Sequence, residues 1–291
     1  MPASDPDSSP TRRRLLRRTS LAAVATATGS LAGCLARGDG RATSCNGHAI
    51  EPGADLSGVD LSGCDLAYAD LSGATLSGAD LTGTDLFLAD LEDADLSNAD
   101  LTDAAMLSRS LRSASSVRGA TLEGASFPGV DLSGLDLRGV TVREADLAEV
   151  DFSGTDLSEA DLTDADLADA AFDDADLTDA DLQGATLEGA SFDGVVLTGA
   201  VVGSVDLSGE DLSGTDLSGT DLTGADLSGA DLSETTLERA TLVDADLRTV
   251  DLTGATLREA NLEGARLQSA RLRDVDLEGA TWHDGGPAPG T

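Results

Sequence analysis

The chain has 291 residues, of which 54 are acidic and 18 are basic, so its formal charge at pH 7 is −36. Aromatic residues make up 2% of it, a composition that is typical of disordered chains. A surface this negative repels nucleic acids and anionic lipids, which excludes binding to them through the protein's own charge. Cations, basic proteins and proteins that normally bind DNA remain as partners of compatible charge.

The N-terminal segment has the three parts of an export signal, in order. Residues 11–17, TRRRLLR, are similar to the twin-arginine export motif, with Arg12 and Arg13 as the arginine pair. The weakly apolar stretch that follows is shorter than the roughly 20 residues that span a bilayer. Residues 31–34, LAGC, then resemble a lipobox, which predicts a lipid on Cys34. The alternative is a basic, Ala-rich arm that stays on a cytoplasmic protein.

These motifs predict a signal peptide over residues 1–33 and an exported protein, lipid-anchored to the outer face of the cytoplasmic membrane. Residues 34–53 are rich in Gly and small side chains, which predicts a flexible tether. The tether contains Cys45. Outside the cell this thiol could pair with Cys64; otherwise Cys64 is a small core residue.

Residues 54–282 repeat every five residues around a large apolar residue, here called position i. Position i falls at Leu56 and every fifth residue to Leu111, then resumes at Val117 and continues to Trp282. Position i−2 is nearly always Ala, Val or Thr, and position i−1 is mostly Asp. Position i+1 is often Ser or Thr, and position i+2 is often Gly, Asp or Glu. A period of five fits neither an α-helix nor a flat strand.

This repeat resembles the pentapeptide-repeat family, whose motif reads A-(D/N)-L-x-x. The resemblance implies an all-β fold, a right-handed quadrilateral parallel β-helix in which four pentapeptides form one coil and about eleven coils stack. It also implies that positions i and i−2 face the interior, whereas the other three face solvent. Phe152, Phe172 and Phe192 are 20 residues apart, so this geometry predicts that their rings stack in successive coils.

The stretch of residues 160–182, ADLTDADLADAAFDDADLTDADL, holds nine aspartates and no basic residue. In the implied coil these aspartates line the outside, and Asp161 and Asp181 lie one coil apart on one face. Like charges about 5 Å apart repel by roughly 1 kcal/mol in water, and molar salt screens most of that repulsion. We therefore expect the fold to weaken at low salt. All basic residues are Arg, and such acid-rich, Lys-free chains resemble proteins of extreme halophiles, although GC-rich codon usage also removes Lys.

Two places break the repeat. Residues 104–118 contain a one-residue register shift, three Arg and no acid, with Leu107 or Leu111 as the last regular residue. Arg109 would face inward there, which predicts a loop or bulge that is either a partner contact or a tolerated insertion. Glu210 falls on an inward i−2 position, where a carboxylate without a partner is unfavourable. We expect a local defect there, with a widened corner or a protonated side chain.

Three apolar residues occupy positions that face solvent in the implied coil: Tyr68 and Leu88 at i+2, and Phe87 at i+1. We predict that they form a patch that contacts a partner; the alternatives are an incidental patch or a cover for the tether. At the other end, Trp282 either acts as a lid or helps two molecules pair as a homodimer, since an open end exposes strand edges. Residues 283–291 are predicted to be a disordered tail.

The sequence offers no catalytic arrangement: its two His residues, His48 and His283, lie in the tether and the tail, and no metal or cofactor motif is evident. We therefore expect a non-enzymatic lipoprotein, a rigid acidic scaffold for protein–protein or cell-envelope interactions. Its partner is not identified by the sequence, and direct nucleic acid binding is not expected. The family resemblance implies an alternative, because some members imitate duplex DNA and regulate DNA-binding proteins such as DNA gyrase, which is cytoplasmic.

Overall fold

The computed structural model describes residues 35–36, 42–106, 108–282 and 284. Most of them form turns and isolated β-bridges. Within the described ranges, no helix is long and apolar enough to cross a membrane. The conventional elements are β1 (Leu35–Ala36), β2 (Ala42–Cys45), β3 (His48–Ala49) and α1 (Ser108–Ser113).

Parallel β-bridges join residues at position i−1 to the residue 20 positions later, as in Asp156 with Asp176 and Asp161 with Asp181. Four pentapeptides therefore make one coil, and the coils stack into a β-helix solenoid. Backbone hydrogen bonds between coils, here called the ladder, hold the stack; the N–H of Leu162 donates to the carbonyl of Asp181 at 2.7 Å. The ladder gives partners to backbone groups that burial would otherwise leave unsatisfied.

The interior is filled by positions i and i−2, as the repeat predicts. Leu162 at i is fully buried, and Ala160 at i−2 fills the narrow space beside it. Each buried Leu contributes about 1.5–3 kcal/mol to the free energy of unfolding. Where Thr takes the place of Ala, its hydroxyl finds a backbone acceptor: Thr155 Oγ1 donates to the carbonyl of Leu132 at 3.0 Å. In the part of the chain that the structure describes, no buried side-chain nitrogen or oxygen lacks a hydrogen-bond partner.

The residue at i+2 turns each corner of the coil in the left-handed region of backbone conformation. Asp169 has φ 57°, and Gly189, at the same corner of the next coil, has φ 74°. Gly adopts this region freely, and Asp and Asn tolerate it better than most residues, which explains the composition of position i+2. A Cβ on Gly189 would lie 2.5 Å from Asp169 Oδ1, so any other residue there would have to displace the Asp169 carboxylate.

The column of phenylalanines confirms the coil length with side chains. The rings of Phe152 and Phe172 have centroids 5.3 Å apart at an interplanar angle of 10°, and those of Phe172 and Phe192 lie 5.7 Å apart at 8°. All three rings are buried. A 20-residue spacing therefore holds over three successive coils.

A small antiparallel sheet in the order β1-β2-β3 precedes the first coil. The turn between β2 and β3 is Asn46-Gly47, and both residues have positive φ, which is the usual signature of a tight hairpin. Asn46 Nδ2 also donates to the carbonyl of Asp60 at 3.2 Å. Cys45 forms a disulfide with Cys64, with 6.3 Å between their Cα atoms, and both residues are buried.

The prediction that residues 34–53 form a flexible tether is therefore wrong where these strands lie. Hairpin hydrogen bonds and the disulfide fix β2 and β3, and Ile50 is buried next to them. The two alternatives for Cys64 are also resolved, since it lies in the core and is bonded to Cys45.

The register break consists of one extra residue and a short helix. Bridges join residues 20 apart elsewhere, but Asp95 pairs with Ser116 and Asp100 with Thr121, which are 21 apart. In place of a loop, residues 108–113 form α1, from which Leu111 is buried in the core. Leu111 thus holds the inward position, and Leu107 and the side chain of Arg109 lie outside the description.

The last coil is more open than the first. Leu272, at an inward position, is 39% exposed, and Leu267, Leu277 and Trp282 are partly buried against the core. The predicted tail of residues 283–291 lies outside the described residues, apart from Asp284. The N-terminal end, by contrast, has Cys45 and Ile50 buried beside its first coil.

Candidate interaction surface

The predicted patch of Tyr68, Phe87 and Leu88, here called the aromatic patch, is present on the first two coils. The side chains of Tyr68 and Phe87 are 51% and 43% exposed, and Leu88 is half-buried beside them. The two rings meet edge to face, with centroids 6.1 Å apart and an interplanar angle of 84°. A ladder bond from the Tyr68 N–H to the Phe87 carbonyl, 3.0 Å long, fixes their relative position.

Two residues of the aromatic patch occupy an unfavourable backbone conformation. Tyr68 has φ 60° and Leu88 has φ 57°, both in the left-handed region. For a side chain other than Gly, Asn or Asp this region costs about 1–2 kcal/mol. Other corners, such as those of Arg239 and Thr249, have the same conformation, so the patch differs from them in its exposed apolar side chains and not in its backbone.

Carboxylates flank the aromatic patch. Asp65 Oδ1 accepts the N–H of Ala67 at 3.2 Å, and Asp85 Oδ1 accepts the N–H of Phe87 at 2.9 Å. These Asx turns hold both carboxylates at the edge of the patch, where they face solvent. The surface therefore presents apolar rings between negative charges, an arrangement that suits a partner with an apolar contact surrounded by basic groups.

The same Asx turn explains why position i−1 is Asp and i+1 is Ser or Thr throughout the repeat. In Asp55, for example, Oδ1 accepts the Ser57 hydroxyl at 2.7 Å and the Ser57 N–H at 3.2 Å. These two bonds lower the pKa of Asp55, with the hydroxyl as the larger cause. At Asp251 the hydroxyl of Thr253, followed by the guanidinium of Arg271, lowers the pKa to about 2.

Basic residues are distributed unevenly along the solenoid. Eight described Arg residues within 112–143 and 239–271 pair with nearby carboxylates, for example Arg143 Nε with Asp161 Oδ2 at 2.5 Å and Arg239 Nε with Glu259 Oε2 at 2.8 Å. Residues 144–238, here called the acidic belt, contain 26 acids and no Arg in the sequence. The belt is therefore the most negative surface of the chain.

Glu210 interrupts the otherwise apolar i−2 column. Its side chain is half-buried, and Oε1 accepts the N–H of Gly189 in the preceding coil at 3.1 Å. The carboxylate thus obtains a backbone donor by turning toward the neighbouring coil. The predicted local defect is present here.

Other predicted site residues receive no geometry from the structure. Arg12, Arg13 and Cys34 lie outside the described residues, so the export and lipidation predictions stay predictions. His48 is exposed on β3. Among the residues that are described, no group of His, Cys, Asp and Glu is arranged to hold a metal ion.

The side chain of Arg112 makes contacts that the repeat pattern does not predict. Its Nη1 donates to the carbonyls of Asp131 at 3.1 Å and Ser133 at 3.3 Å, and to Asp131 Oδ1 at 2.6 Å. In regular coils such carbonyls accept backbone N–H groups. Arg112 therefore closes the ladder where α1 leaves it, a role that only its position in the folded chain reveals.

The family comparison agrees with the five-residue repeat. The family model for pentapeptide repeats matches 8 copies, which together span more than half of the chain. The protein therefore belongs to the pentapeptide repeat family. The matched segments are residues 54–93, 113–143, 143–179, 175–213, 211–249 and 245–281.

Solved structures of the same family are similar to this chain. HetL, a pentapeptide repeat protein involved in heterocyst differentiation regulation from the cyanobacterium Nostoc sp., is 27% identical, with 83% of this chain and 94% of HetL covered and a TM-score of 0.36. A trypsin-treated form of QnrB1, a plasmid-mediated fluoroquinolone resistance protein, is 20% identical, with 71% and 89% covered and a TM-score of 0.47.

A pentapeptide repeat protein from the thylakoid lumen of Arabidopsis thaliana is 28% identical, with 40% of this chain and 68% of that chain covered and a TM-score of 0.23. No curated protein sequence matches the chain.

Proposed function

We propose that the protein is a non-enzymatic, lipid-anchored scaffold at the outer face of the cytoplasmic membrane, built as a right-handed quadrilateral β-helix of about eleven coils. Its aromatic patch contacts a protein or cell-envelope partner. The observation that carries this proposal is the exposed pair Tyr68 and Phe87 beside the half-buried Leu88. Large apolar residues are kept there although they leave the core and occupy corners that favour Gly.

The disulfide between Cys45 and Cys64 supports a location outside the cytoplasm, because structural disulfides persist in oxidising compartments and are rare in the cytosol. β1 begins at Leu35, the residue after Cys34. A lipid on Cys34 would hold the N-terminal sheet next to the membrane. The aromatic patch, on the first two coils, would then lie where envelope proteins can reach it.

The patch is tested by chemical crosslinking in cells, followed by identification of the crosslinked proteins. We expect a partner that is captured by the wild type and lost when Tyr68→Ser and Phe87→Ser are combined. The matched control is Val196→Ser, which also replaces an apolar residue at an outward position, on a distant coil. A partner captured equally by all three proteins would show that the patch is not the contact.

A second candidate function is a DNA-mimicking regulator of a DNA-binding protein such as DNA gyrase. The observation that favours it is the acidic belt, which contains 26 acids and no Arg of its own. In a supercoiling assay, this function requires the purified protein to change gyrase activity, and unchanged activity at equimolar and excess protein would exclude it. A control with belt acids replaced by Asn and Gln would show whether charge is responsible.

For the C-terminal end we propose pairing of two molecules, with Trp282 as a lid as the alternative. Exposure of Leu272 supports pairing, because an inward apolar residue that is 39% exposed favours contact with a second surface. Light scattering should find a dimer that Leu272→Arg converts to a monomer. A monomer for both proteins would support the lid.

A further inference from the structure

The ladder is interrupted between two successive coils, at residues 184–195 and 203–216. In regular coils the N–H at position i donates to the next coil, as that of Leu167 does at 2.9 Å. Within these two segments, which are described throughout, neither Leu187 nor Phe192 forms such a bond. The bonds that return from position i−1 of the second coil are missing as well, at Asp206 and Asp211.

The interruption is confined to one junction and to part of its circumference. The bridges 181–201 and 196–216 are present on either side of it. The junction that follows is complete: Leu207 donates to the carbonyl of Asp226 at 2.8 Å, and Leu212 donates to the next coil at 2.9 Å. A local cause must therefore lie between the two coils that are separated.

Glu210 is the residue that breaks the repeat between these two coils. It occupies the inner i−2 corner in a column where the preceding and following coils have Ala190 and Ala230, both buried. A position that fits a methyl group leaves no room for the five heavy atoms of a glutamate side chain, and a carboxylate in the core would be desolvated. The side chain turns toward the preceding coil instead, and Oε1 takes the Gly189 N–H that would otherwise join the ladder.

We infer that Glu210 is a wedge that holds this junction open and makes it a flexible joint in the solenoid. Bonds between coils are what make a β-helix stiff, because each coil contacts only its neighbours. Removal of consecutive bonds on one side lowers the free energy of local opening there. The coils before residue 184 and after residue 216 can then bend relative to each other about the sides that stay bonded.

The joint shares its side of the solenoid with the register break. A continuous column of bridges runs from Ser126 through Asp146 and Asp166 to Thr186. In the described chain, the next bridge of this column is missing at both ends, after Thr186 and before Ser126. Openings at the two places would therefore bend the rod toward the same side. Only the opening at the register break is closed by an arginine, Arg112.

Hydrogen exchange measured by mass spectrometry on the full-length protein in molar salt tests the joint. We expect the amides of residues 184–195 and 203–216 to exchange at least about tenfold faster than those of residues 164–175, which occupy the corresponding place in a complete junction. Glu210→Ala should close the junction and slow this exchange to the level of the complete one. Equal rates at the two places in the wild type would overturn the inference.

Two further variants test the mechanism of the wedge. Glu210→Gln has the same length and an oxygen that can accept the Gly189 N–H, so it should keep the fast exchange. Slow exchange in Glu210→Gln would contradict a wedge that acts through size. Glu188→Ala removes an exposed carboxylate on the other side of the same junction, beside Gly189, without changing an inner i−2 position, and it should leave the exchange unchanged. A slowing by Glu188→Ala equal to that by Glu210→Ala would assign the effect to net charge and overturn the wedge.

Discussion

The register break and the Glu210 junction use a charged side chain in opposite ways. At the register break, Arg112 donates to the carbonyls of Asp131 and Ser133, which α1 leaves without backbone donors. At the second junction, Glu210 displaces ladder bonds, and Gly189 is the donor that its carboxylate accepts. A β-helix therefore accommodates an added residue on its outside more easily than a large side chain at an inward i−2 position.

Salt concentration should have the largest effect on the stability of the solenoid and of its two irregular junctions. Stacked carboxylates such as Asp161 and Asp181 repel each other by roughly 1 kcal/mol per pair in water, and their sum approaches the 5–15 kcal/mol that is typical of domain stability. We expect the melting temperature to rise steeply between about 0.1 M and 3 M KCl, because the Debye length falls. Exchange at the Glu210 junction should rise first as salt is removed. A melting temperature independent of KCl would contradict this electrostatic account.

Loss of Arg112 should have the next largest effect. Arg112→Ala leaves the carbonyls of Asp131 and Ser133 without this donor, so we expect the free energy of unfolding to fall by about 1–2 kcal/mol in urea titrations. Arg118→Ala is the control, because it removes an exposed arginine of the same register break. If the two variants lost the same stability, Arg112 would have no special part in closing the ladder.

The aromatic patch places Tyr68 and Leu88 at position i+2, where Gly, Asp or Glu is usual, and its ladder bond is intact. Substitution there should change the free energy of unfolding less than loss of Arg112 does, and should raise it. Tyr68→Gly and Leu88→Gly relieve the left-handed conformation, and we expect each to gain up to about 1 kcal/mol in the free energy of unfolding. Phe87→Gly is the control. Phe87 is at position i+1, which is not left-handed, so this variant should lose about 0.5–1 kcal/mol of the free energy of unfolding. A clear loss of stability in Tyr68→Gly would show that the residue serves the fold.

The Asx turn of an intact coil offers the smallest and most local test. Asp251 has its pKa lowered to about 2 by the Thr253 hydroxyl first and then by Arg271. A pKa below that of the unfolded chain means that this contribution to stability is present above about pH 4 and is lost as pH falls through 2. Carboxyl NMR titration should show a higher Asp251 pKa in Thr253→Ala and an unchanged one in Thr253→Ser. An equal rise in both variants would exclude the hydroxyl as the main cause.

The sequence was sufficient to predict the coil and its core, because each pentapeptide obeys the same local rule. The 20-residue spacing of Phe152, Phe172 and Phe192 predicted stacked rings, and this is confirmed. Exposure of Tyr68 and Phe87 followed from the same register and is also confirmed. Inward and outward positions in a regular solenoid are set by period alone, so these features needed no knowledge of long-range contacts.

The departures from regularity could be located in the sequence but not described. Glu210 was expected to disturb a corner, but the number of ladder bonds that it displaces depends on how two coils pack. The contacts of Arg112 join residues about one coil apart, so no local pattern contains them. The N-terminal sheet did carry a signal, since Asn46-Gly47 is a strong hairpin indicator that the Gly-rich composition of residues 34–53 obscured.

We propose that a lipid on Cys34 anchors this solenoid outside the cytoplasm. Cell fractionation of the wild type beside Cys34→Ser, with mass spectrometry of the mature N-terminus, tests it most directly. We expect a membrane-bound wild-type protein that begins at lipidated Cys34, and a Cys34→Ser protein that is released from the membrane. A cytoplasmic wild-type protein with residues 1–33 intact would contradict it and favour the DNA-mimicking alternative.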